Sequence, residues 1–242
     1  MTLGTLYGVG LGPGDPDLMS VRADRLVRGA KHVAFFRKAG RKGQARQIVE
    51  GMIDTQAIEF PMEYPVTTEI PFDDPRYNEA LSTFYAGCTE HLYGLLKAGE
   101  DVVVLCEGDP FFYGSFMHLF TRLTERVKIE VVPAITGMSG AWTATGTPIT
   151  WGDDVLTILA GTLSEFDLTK RMAETDALVV MKIGRNIDKI RNALKAAGKY
   201  DDAWLVEYAT MPKQTVAKLA DVKDGITPYF AIIVVHGQGR RP

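Results

Sequence analysis

The residues best suited to chemistry follow a short apolar stretch in the middle of the chain, Val102 to Cys106. Such a stretch is too short for a helix and predicts a strand that is buried on both faces, as in a parallel sheet. Glu107, Gly108, Asp109 and Pro110 come next, followed by three aromatic residues. In open α/β sheets, ligands bind beyond the carboxyl ends of strands, where glycine allows a close approach. The stretch therefore predicts either a ligand-binding turn or an ordinary strand-to-helix turn with core aromatic side chains.

A glycine-rich segment, residues 8–16, follows the first predicted strand, Thr5 to Val9. It does not fit the dinucleotide-binding fingerprint, because Pro13 or Asp15 takes the place of the third glycine. It is not a P-loop either, because it contains no Gly-Lys-Ser/Thr sequence. We expect an open loop stiffened by prolines. It would serve either as a backbone surface for a large flat ligand or as a tight connection to the next helix.

A run of positive charge follows the second predicted strand, Val33 to Phe36. Its members are Arg37, Lys38, Arg41, Lys42 and Arg46. Charge runs are usually solvated loops. The alternative is a cationic rim for a polyanionic small ligand, because charge-assisted and bidentate pairing suits arginine.

Strand and helix patterns alternate in the first half of the chain, which predicts a parallel sheet. Four prolines in residues 59–76 predict an irregular, ordered loop or a lid, and Asp74 is expected to cap a helix that ends near Gly99. Strands are frequent in the second half, with a short turn at Asp224, and predict a mixed sheet. We therefore expect an α/β protein of two domains, 1–130 and 131–242, with a ligand cleft between them.

Composition narrows the function classes. The chain has 242 residues and a formal net charge of −3, which gives no overall attraction to nucleic acid or anionic membranes. It shows neither a membrane-spanning apolar run nor a signal peptide, so we expect a cytoplasmic protein. Cys88 and Cys106 are expected to be core residues. The histidines and cysteines lack metal-ligand spacing, so we predict no metal held by the protein.

Four motifs in order resemble the tetrapyrrole methylases, which use S-adenosylmethionine. They are GVGLGPGDPDLMSVRA, EGDPFFYGS, VVPAITGMSGA and EYATMPKQTV, and together they span nearly the whole chain. The resemblance implies the class III methyltransferase fold of two α/β domains with the cofactor in the cleft between them, usually in a homodimer. Residues 61–69, PMEYPVTTE, resemble the members that methylate precorrin-2 at C20 in cobalamin biosynthesis. The cobalt-containing acceptor of the anaerobic route belongs to the same subfamily.

The resemblance also assigns residues to the cofactor, with S-adenosylhomocysteine as the product. The triplet at 107–109 would hold the methionine part through backbone groups, and Ile183, or Met181 in a shifted alignment, would lie beside the adenine. Ala209 stands where the family has glycine. The implied cofactor-binding residues are Pro13, Glu107, Gly108, Asp109, Phe112, Thr136, Gly137, Ile183, Ala209 and Thr210.

Precorrin-2 is a flexible macrocycle with several carboxylates, so an acidic protein needs local cations to bind it. We expect Arg37, Lys38 and Arg41 to bind substrate, with Lys182 and Arg185 as further candidates. An electron-rich ring carbon would attack the sulfonium methyl, and the protein would mainly supply orientation. No catalytic side chain is identified; Asp15 or Asp109 could take a proton, although Asp109 is expected to hold its loop.

Two alternatives remain at this stage. The same fold could act on another corrin carbon, on a modified protein histidine or on ribosomal RNA, but RNA would require an extended basic face. The chain could also be a tetrapyrrole carrier without transfer activity, which would have no need of the cofactor loops.

Overall fold

The computed structural model describes residues 2–66, 74–223 and 225–241. Internal contacts divide the chain into two units, Met1–Thr136 and Gly137–Pro242. The break predicted between residues 130 and 131 falls inside a strand of the first unit, because Lys128–Val132 pairs with the first strand, Thr5–Gly10. This strand therefore completes the first sheet, and the first unit extends beyond it.

The first unit contains a parallel sheet, as the alternating pattern predicted. Every strand pair in it is parallel, and the strands lie in the order β3-β2-β4-β1-β5. The predicted buried strand is β4, and all of its side chains are buried. The strands are β1 (Thr5–Gly10), β2 (His32–Lys38), β3 (Ile58–Tyr64), β4 (Val102–Cys106) and β5 (Lys128–Val132).

Helices cover both faces of this sheet. The helices are α1 (Val21–Arg28), α2 (Gln44–Ile48), α3 (Pro75–Lys97) and α4 (Phe116–Leu123). Residues of α1 and α2 share a core cluster with Val9 and Val103, whereas residues of α3 and α4 share another with Leu6 and Val104. In the strand order, β1 leads through α1 to β2 and β4 leads through α4 to β5, so the two connections run towards opposite edges of the sheet. The carboxyl ends of β1 and β4 form the topological switch point, where ligands bind in such sheets.

The strand β3 corrects the expectation of an irregular loop over 59–76. Ile58–Tyr64 pairs with β2 over its whole length although it contains Pro61. Proline lacks a backbone N–H, but β3 is the last strand in the sheet order, and an edge strand tolerates the missing donor. The predicted lid falls partly on residues 67–73, outside the described residues. Asp74 caps α3, as predicted, and Pro75 is the first residue of the helix.

The second unit contains a mixed sheet with the strand order β6-β7-β10-β8-β9. Its strands are β6 (Leu156–Ala160), β7 (Ala177–Met181), β8 (Trp204–Glu207), β9 (Thr215–Lys218) and β10 (Ala231–Val235). β6 is parallel to β7, and both β7 and β8 are antiparallel to β10. The carboxyl ends of β6, β7 and β8 therefore lie at one edge of this sheet.

In the described part of the second unit, three α-helices pack on its sheet. They are α5 (Gly137–Ala144), α6 (Glu165–Ala173) and α7 (Ile187–Ala196). α5 packs on one face through Ala141, and α6 and α7 share a core with Leu178 and Ile233 on the other. The sequence interpretation missed α6, although Ser164 caps it. The predicted turn at Asp224 lies outside the described residues.

Cys88 and Cys106 are both buried and unpaired with each other, as expected of core residues. Burial raises the pKa of the Cys88 thiol to about 11.

In the part of the chain that the structure describes, no helix is both long and apolar enough to cross a membrane.

Candidate functional site

The carboxyl edge of the first sheet gathers the site residues predicted in this unit. Pro13 follows β1, the triplet at 107–109 follows β4, and Thr136 follows β5. Arg37 and Lys38 end β2, and Arg41 follows it. Because all strands of this sheet are parallel, these segments meet at one edge. The sheet therefore brings together residues that are far apart in sequence.

The turns after β1 and β4 are bonded to each other at the switch point. The N–H of Leu11 donates to the carbonyl of Cys106 at 3.0 Å, and the N–H of Gly108 donates to the carbonyl of Gly12 at 2.9 Å. Gly12 and Gly108 have φ angles of 82° and 62°, which favour glycine. The two motifs therefore form one backbone platform, on which buried Pro13 comes next.

Two glycines of the loop predicted from the sequence, Gly8 and Gly10, lie inside β1. A Cβ at Gly8 would lie 2.3 Å from the ring of Phe116, and a Cβ at Gly10 would lie 2.6 Å from the Cβ of Ala134. These positions are filled by the protein itself and leave no space for a ligand. The open loop that the sequence predicted therefore begins only after Gly10.

Asp109 holds the β4 turn in place. One carboxylate oxygen accepts from the N–H of Phe111 at 2.9 Å, and the other accepts from the N–H of Ala134 at 3.0 Å. The side chain thereby joins the turn after β4 to the segment that precedes Thr136. This geometry agrees with the expectation that Asp109 holds its loop.

Glu107 points to the opposite side of the turn. Its Oε1 accepts from the N–H of Ala45, in the first turn of α2, at 3.2 Å. Burial raises the pKa of this carboxyl above its ordinary value of 4.5. Because the side chain is used to position α2, Glu107 can offer a ligand chiefly its backbone.

The aromatic residues after Pro110 surround the next helix. Phe111 packs edge to face on Phe120, with ring centroids 4.8 Å apart. Phe112 is half-buried, and its ring centroid lies 4.9 Å from that of Tyr113. Phe112 and Tyr113 therefore contribute an apolar surface beside the turn, while Phe111 belongs to the packing of α4.

The basic run does not form a continuous cationic rim. Arg37, Lys42 and Arg46 each pair with a carboxylate, of Glu63, Glu50 and Glu59 respectively, at 2.6 to 2.7 Å. Successive side chains of a strand point to opposite faces, so Arg37 and Lys38 diverge. Arg37 is opposite Glu63 in the register with β3, and Lys38 is opposite Tyr64.

The second unit has its own set of predicted residues at the carboxyl edge of its sheet. Lys182, Ile183 and Arg185 follow β7, and Ala209 and Thr210 follow β8. Ile183 is 1% exposed and its side chain belongs to the core, so this side chain does not form a ligand-facing surface. Lys182 and Arg185 are both exposed.

Ala209 and Gly137 lie in one part of the second unit. Ala209 packs in a small cluster with Ala141 of α5, the helix that Gly137 begins. The N–H of Thr210 donates to the side-chain oxygen of Gln214 at 2.7 Å. The alanine that replaces the family's glycine therefore fits a buried position without obstruction.

Strained backbone is concentrated at these loops. Within the described ranges, the non-glycine residues with positive φ are Tyr113, Lys182, Tyr208 and Thr210, at 52° to 67°. Each follows the carboxyl end of β4, β7 or β8. Left-handed backbone is unfavourable for such side chains and accumulates at ligand sites, where the surrounding structure enforces it. The strain independently marks the same loops that the motifs identified.

Sequence reasoning missed a cluster of hydroxyl groups, Tyr64, Tyr85 and Ser115, at the carboxyl edge of the first sheet. The Tyr64 hydroxyl lies 2.5 Å from Ser115 Oγ, and the Tyr85 hydroxyl donates to the same oxygen at 3.2 Å. The one available signal was the small polar residue directly before α4.

Across the described segments, no group of three His, Cys, Asp or Glu side chains is placed to hold a metal ion.

Comparisons with known proteins agree with this architecture. Residues 5–223 match the family model described as Tetrapyrrole (Corrin/Porphyrin) Methylases. The Precorrin-2 C(20)-methyltransferase of Sinorhizobium sp is 48% identical over 240 residues, which cover 99% of this chain and 98% of that protein. The Cobalt-precorrin-2 C(20)-methyltransferase of Salmonella typhimurium is 27% identical over 240 residues, which cover 97% of this chain and 97% of that protein.

A solved structure shares the fold. The uroporphyrin-III C-methyl transferase of Thermus thermophilus, complexed with S-adenyl homocysteine, has a TM-score of 0.68 and 24% identity, with 96% of this chain and 97% of that chain covered. The motifs, the bonded turns and the match over most of the sequence agree. The chain belongs to the tetrapyrrole (corrin/porphyrin) methylases.

Proposed function

We propose that this protein transfers a methyl group from S-adenosylmethionine to C20 of precorrin-2 in cobalamin biosynthesis. The observation that carries the proposal is the 48% identity, over nearly the whole of both chains, to a precorrin-2 C(20)-methyltransferase. The PMEYPVTTE stretch, which includes the end of β3, supports the same acceptor.

The residues at the first sheet's carboxyl edge fit the methyl donor. S-adenosylmethionine supplies a methyl group on a positively charged sulfur, which leaves as a neutral thioether. The bonded turns at Gly12 and Gly108 present backbone groups at the switch point without side chains in the way. Asp109 and Glu107 fix these turns through Ala134 and Ala45. The turns are thus preorganised, as catalysis by placement requires.

The family resemblance assigns further residues to the binding of S-adenosylmethionine, and we include them in the proposal. Phe112 offers the cofactor an apolar contact. Thr136 and Gly137 take the place of the pair of residues that contacts the cofactor in the family. Ile183, Ala209 and Thr210 supply backbone groups. The strained backbone at Lys182 and Thr210 supports a role for these loops.

The acceptor needs cations, for which we propose Arg37, Lys38 and Arg41. Exposed Arg41 is the simplest candidate, while Arg37 would have to exchange or share Glu63. The family resemblance further supports a homodimer and a cytoplasmic location. The mass of the native protein in solution tests the first of these.

Incubation with methyl-labelled S-adenosylmethionine and precorrin-2 tests the function. We expect the label to enter the pigment, with a shift of its absorption spectrum and formation of S-adenosylhomocysteine. Cobalt-precorrin-2 and a later, already methylated corrin precursor serve as parallel acceptors. Transfer only to a different acceptor would reassign the substrate, and binding of the pigment without transfer would indicate a carrier.

A further inference from the structure

Three hydroxyl groups meet on the α3/α4 face of the first sheet. Tyr64 ends β3, Tyr85 lies in α3, and Ser115 directly precedes α4. Ser115 Oγ is bonded to both tyrosines, at 2.5 Å and 3.2 Å. The cluster lies at the carboxyl edge, where the β4 turn leads into α4. It is therefore close in the fold to the proposed donor turn but is not part of it.

Ser115 has an unusual position for a serine. It occupies the N-cap of α4, yet its side chain makes no capping hydrogen bond, whereas Ser20 and Ser164 cap α1 and α6. Serine is preferred at this position because its hydroxyl usually satisfies a backbone N–H of the first turn. Here the hydroxyl is turned towards the two tyrosines. Helix stability therefore does not explain why serine is placed there.

The tyrosine rings are held firmly by their neighbours. The Tyr64 ring stacks on Phe36 at 5.5 Å and contacts Phe84 at 5.3 Å. Tyr85 is 5% exposed and stacks on His118 at 4.3 Å. Burial raises the pKa of the Tyr85 hydroxyl, which therefore stays protonated and donates to Ser115. The cluster has the rigidity required of a recognition element.

A cation lies on the same face. Lys38 is opposite Tyr64 in the β2/β3 register, and it is two residues beyond Phe36, which packs on the Tyr64 ring. The period of a strand therefore directs Lys38 to the side of the hydroxyl cluster and Arg37 to the other side. Hydroxyl donors beside an ammonium group are a suitable partner for a carboxylate.

We propose that Tyr64 and Ser115, with Lys38, bind one carboxylate side chain of the tetrapyrrole acceptor, and that Tyr85 positions Ser115. The inference rests on the proposed function, because only a polycarboxylate acceptor requires such a subsite. It assigns acceptor recognition to neutral hydroxyl groups that the basic run did not indicate. Tyr64 and Ser115 are then specificity-determining residues, and Tyr85 is a positioning residue.

Anaerobic absorbance titrations with precorrin-2, and with sirohydrochlorin as its oxidised form, test the inference. Ser115→Ala, Tyr64→Phe and Lys38→Met should each weaken tetrapyrrole binding roughly tenfold, since hydrogen bonds to charged groups contribute that much or more. Tyr85→Phe should weaken it less. The Kd for S-adenosylhomocysteine and kcat at saturating acceptor should stay close to the wild-type values.

Matched controls come from the opposite edge of the unit and from a capping serine. Tyr93→Phe and Lys97→Met alter residues at the far end of α3 and should leave tetrapyrrole binding unchanged. Ser20→Ala should lower the free energy of unfolding by about 1 kcal/mol because it removes a cap. Ser115→Ala should lower it by a similar amount for a different reason, because it removes the acceptor of the buried Tyr85 hydroxyl.

The outcomes separate this inference from the proposed function. Tetrapyrrole binding that is equally tight in wild type, Ser115→Ala and Tyr64→Phe would overturn the inference, and transfer to precorrin-2 would still stand. An equal loss of affinity for the donor product and the tetrapyrrole would overturn it as well, because the cluster would then act on the whole site. Cluster-dependent binding of both pigments without methyl transfer would support the inference and refute the function.

Discussion

Two adjacent carboxylates after β4 have separate structural tasks. Glu107 bonds to the N–H of Ala45, and Asp109 bonds to the N–H groups of Phe111 and Ala134. Their side chains therefore brace the turn from two sides while its backbone stays accessible. We therefore expect both residues to affect ligand binding through the shape of the turn.

The buried Glu107 carboxyl should leave a signature in the pH dependence of stability. Because its pKa is raised above 4.5, the folded protein binds this proton more tightly than the unfolded chain does. The protonated carboxyl therefore contributes to the free energy of unfolding below pH 4.5, and this contribution is lost as the pH rises through the raised pKa of the folded state. Glu107→Gln keeps an acceptor oxygen for Ala45 without the charge. Urea unfolding at pH 5 and pH 8 should show the variant gaining stability relative to wild type at the higher pH; parallel pH curves would contradict this.

Asp109→Ala should loosen the turn. Removal of both charge-assisted hydrogen bonds should lower the free energy of unfolding by about 1–3 kcal/mol, measured by urea denaturation. The affinity for S-adenosylhomocysteine, measured by calorimetry, should fall several-fold. Asp153→Ala is the matched control, because that carboxylate is exposed and lies 3.8 Å from Arg240. Equal effects of the two substitutions would refute the bracing role.

Thr210 should show a trade between stability and activity. Its φ of 67° is unfavourable for a β-branched residue, whereas asparagine tolerates that conformation. Thr210→Asn should therefore raise the free energy of unfolding by about 1 kcal/mol, and Thr210→Ala should raise it less. We expect the transfer rate to fall in both. Unchanged transfer together with higher stability would show that the strain has no role in function.

Elements explain why part of the site could be predicted and part could not. β4 and its turn were recognisable because a buried parallel strand is an unbroken apolar run. β3 was not recognisable, because Pro61 excludes an inner strand but is compatible with an edge strand. The position of a strand in the sheet cannot be predicted from its own residues. α6 was missed although Ser164 precedes it and Leu168 and Met172 lie four residues apart. The pairing of Arg37 with Glu63 depends on that same strand order.

Gly8, inside β1, is required by the ring of Phe116, a residue much later in the chain. Gly8→Ala would place a methyl group against the Phe116 ring and should cost about 1–3 kcal/mol of stability, measured by thermal and urea unfolding. Adding Phe116→Leu should recover part of the loss. Gly87→Ala, in α3 with nothing within 4 Å of the new Cβ, should instead stabilise by about 0.5–1 kcal/mol. A neutral Gly8→Ala would contradict the packing.

For the whole molecule, the sequence predicted an α/β fold and the parallel first sheet, but placed the break before β5 was complete. The break lies after β5 because β5 pairs with β1, and this long-range pairing leaves no local signal in the sequence. The switch point between β1 and β4 follows from topology alone, and the two motifs that flank it were the strongest signals in the sequence. Motifs recur because they serve a ligand, while boundaries follow from contacts that no local pattern records.

Carbon-13 NMR of the reaction product shows directly which ring carbon receives the methyl group. The protein is supplied with precorrin-2 and with S-adenosylmethionine labelled in its methyl carbon, and the labelled carbon is assigned in the purified pigment. We expect one new methyl signal, bonded to C20. A label on another ring carbon, or a pigment recovered without label while S-adenosylmethionine remains intact, would contradict it.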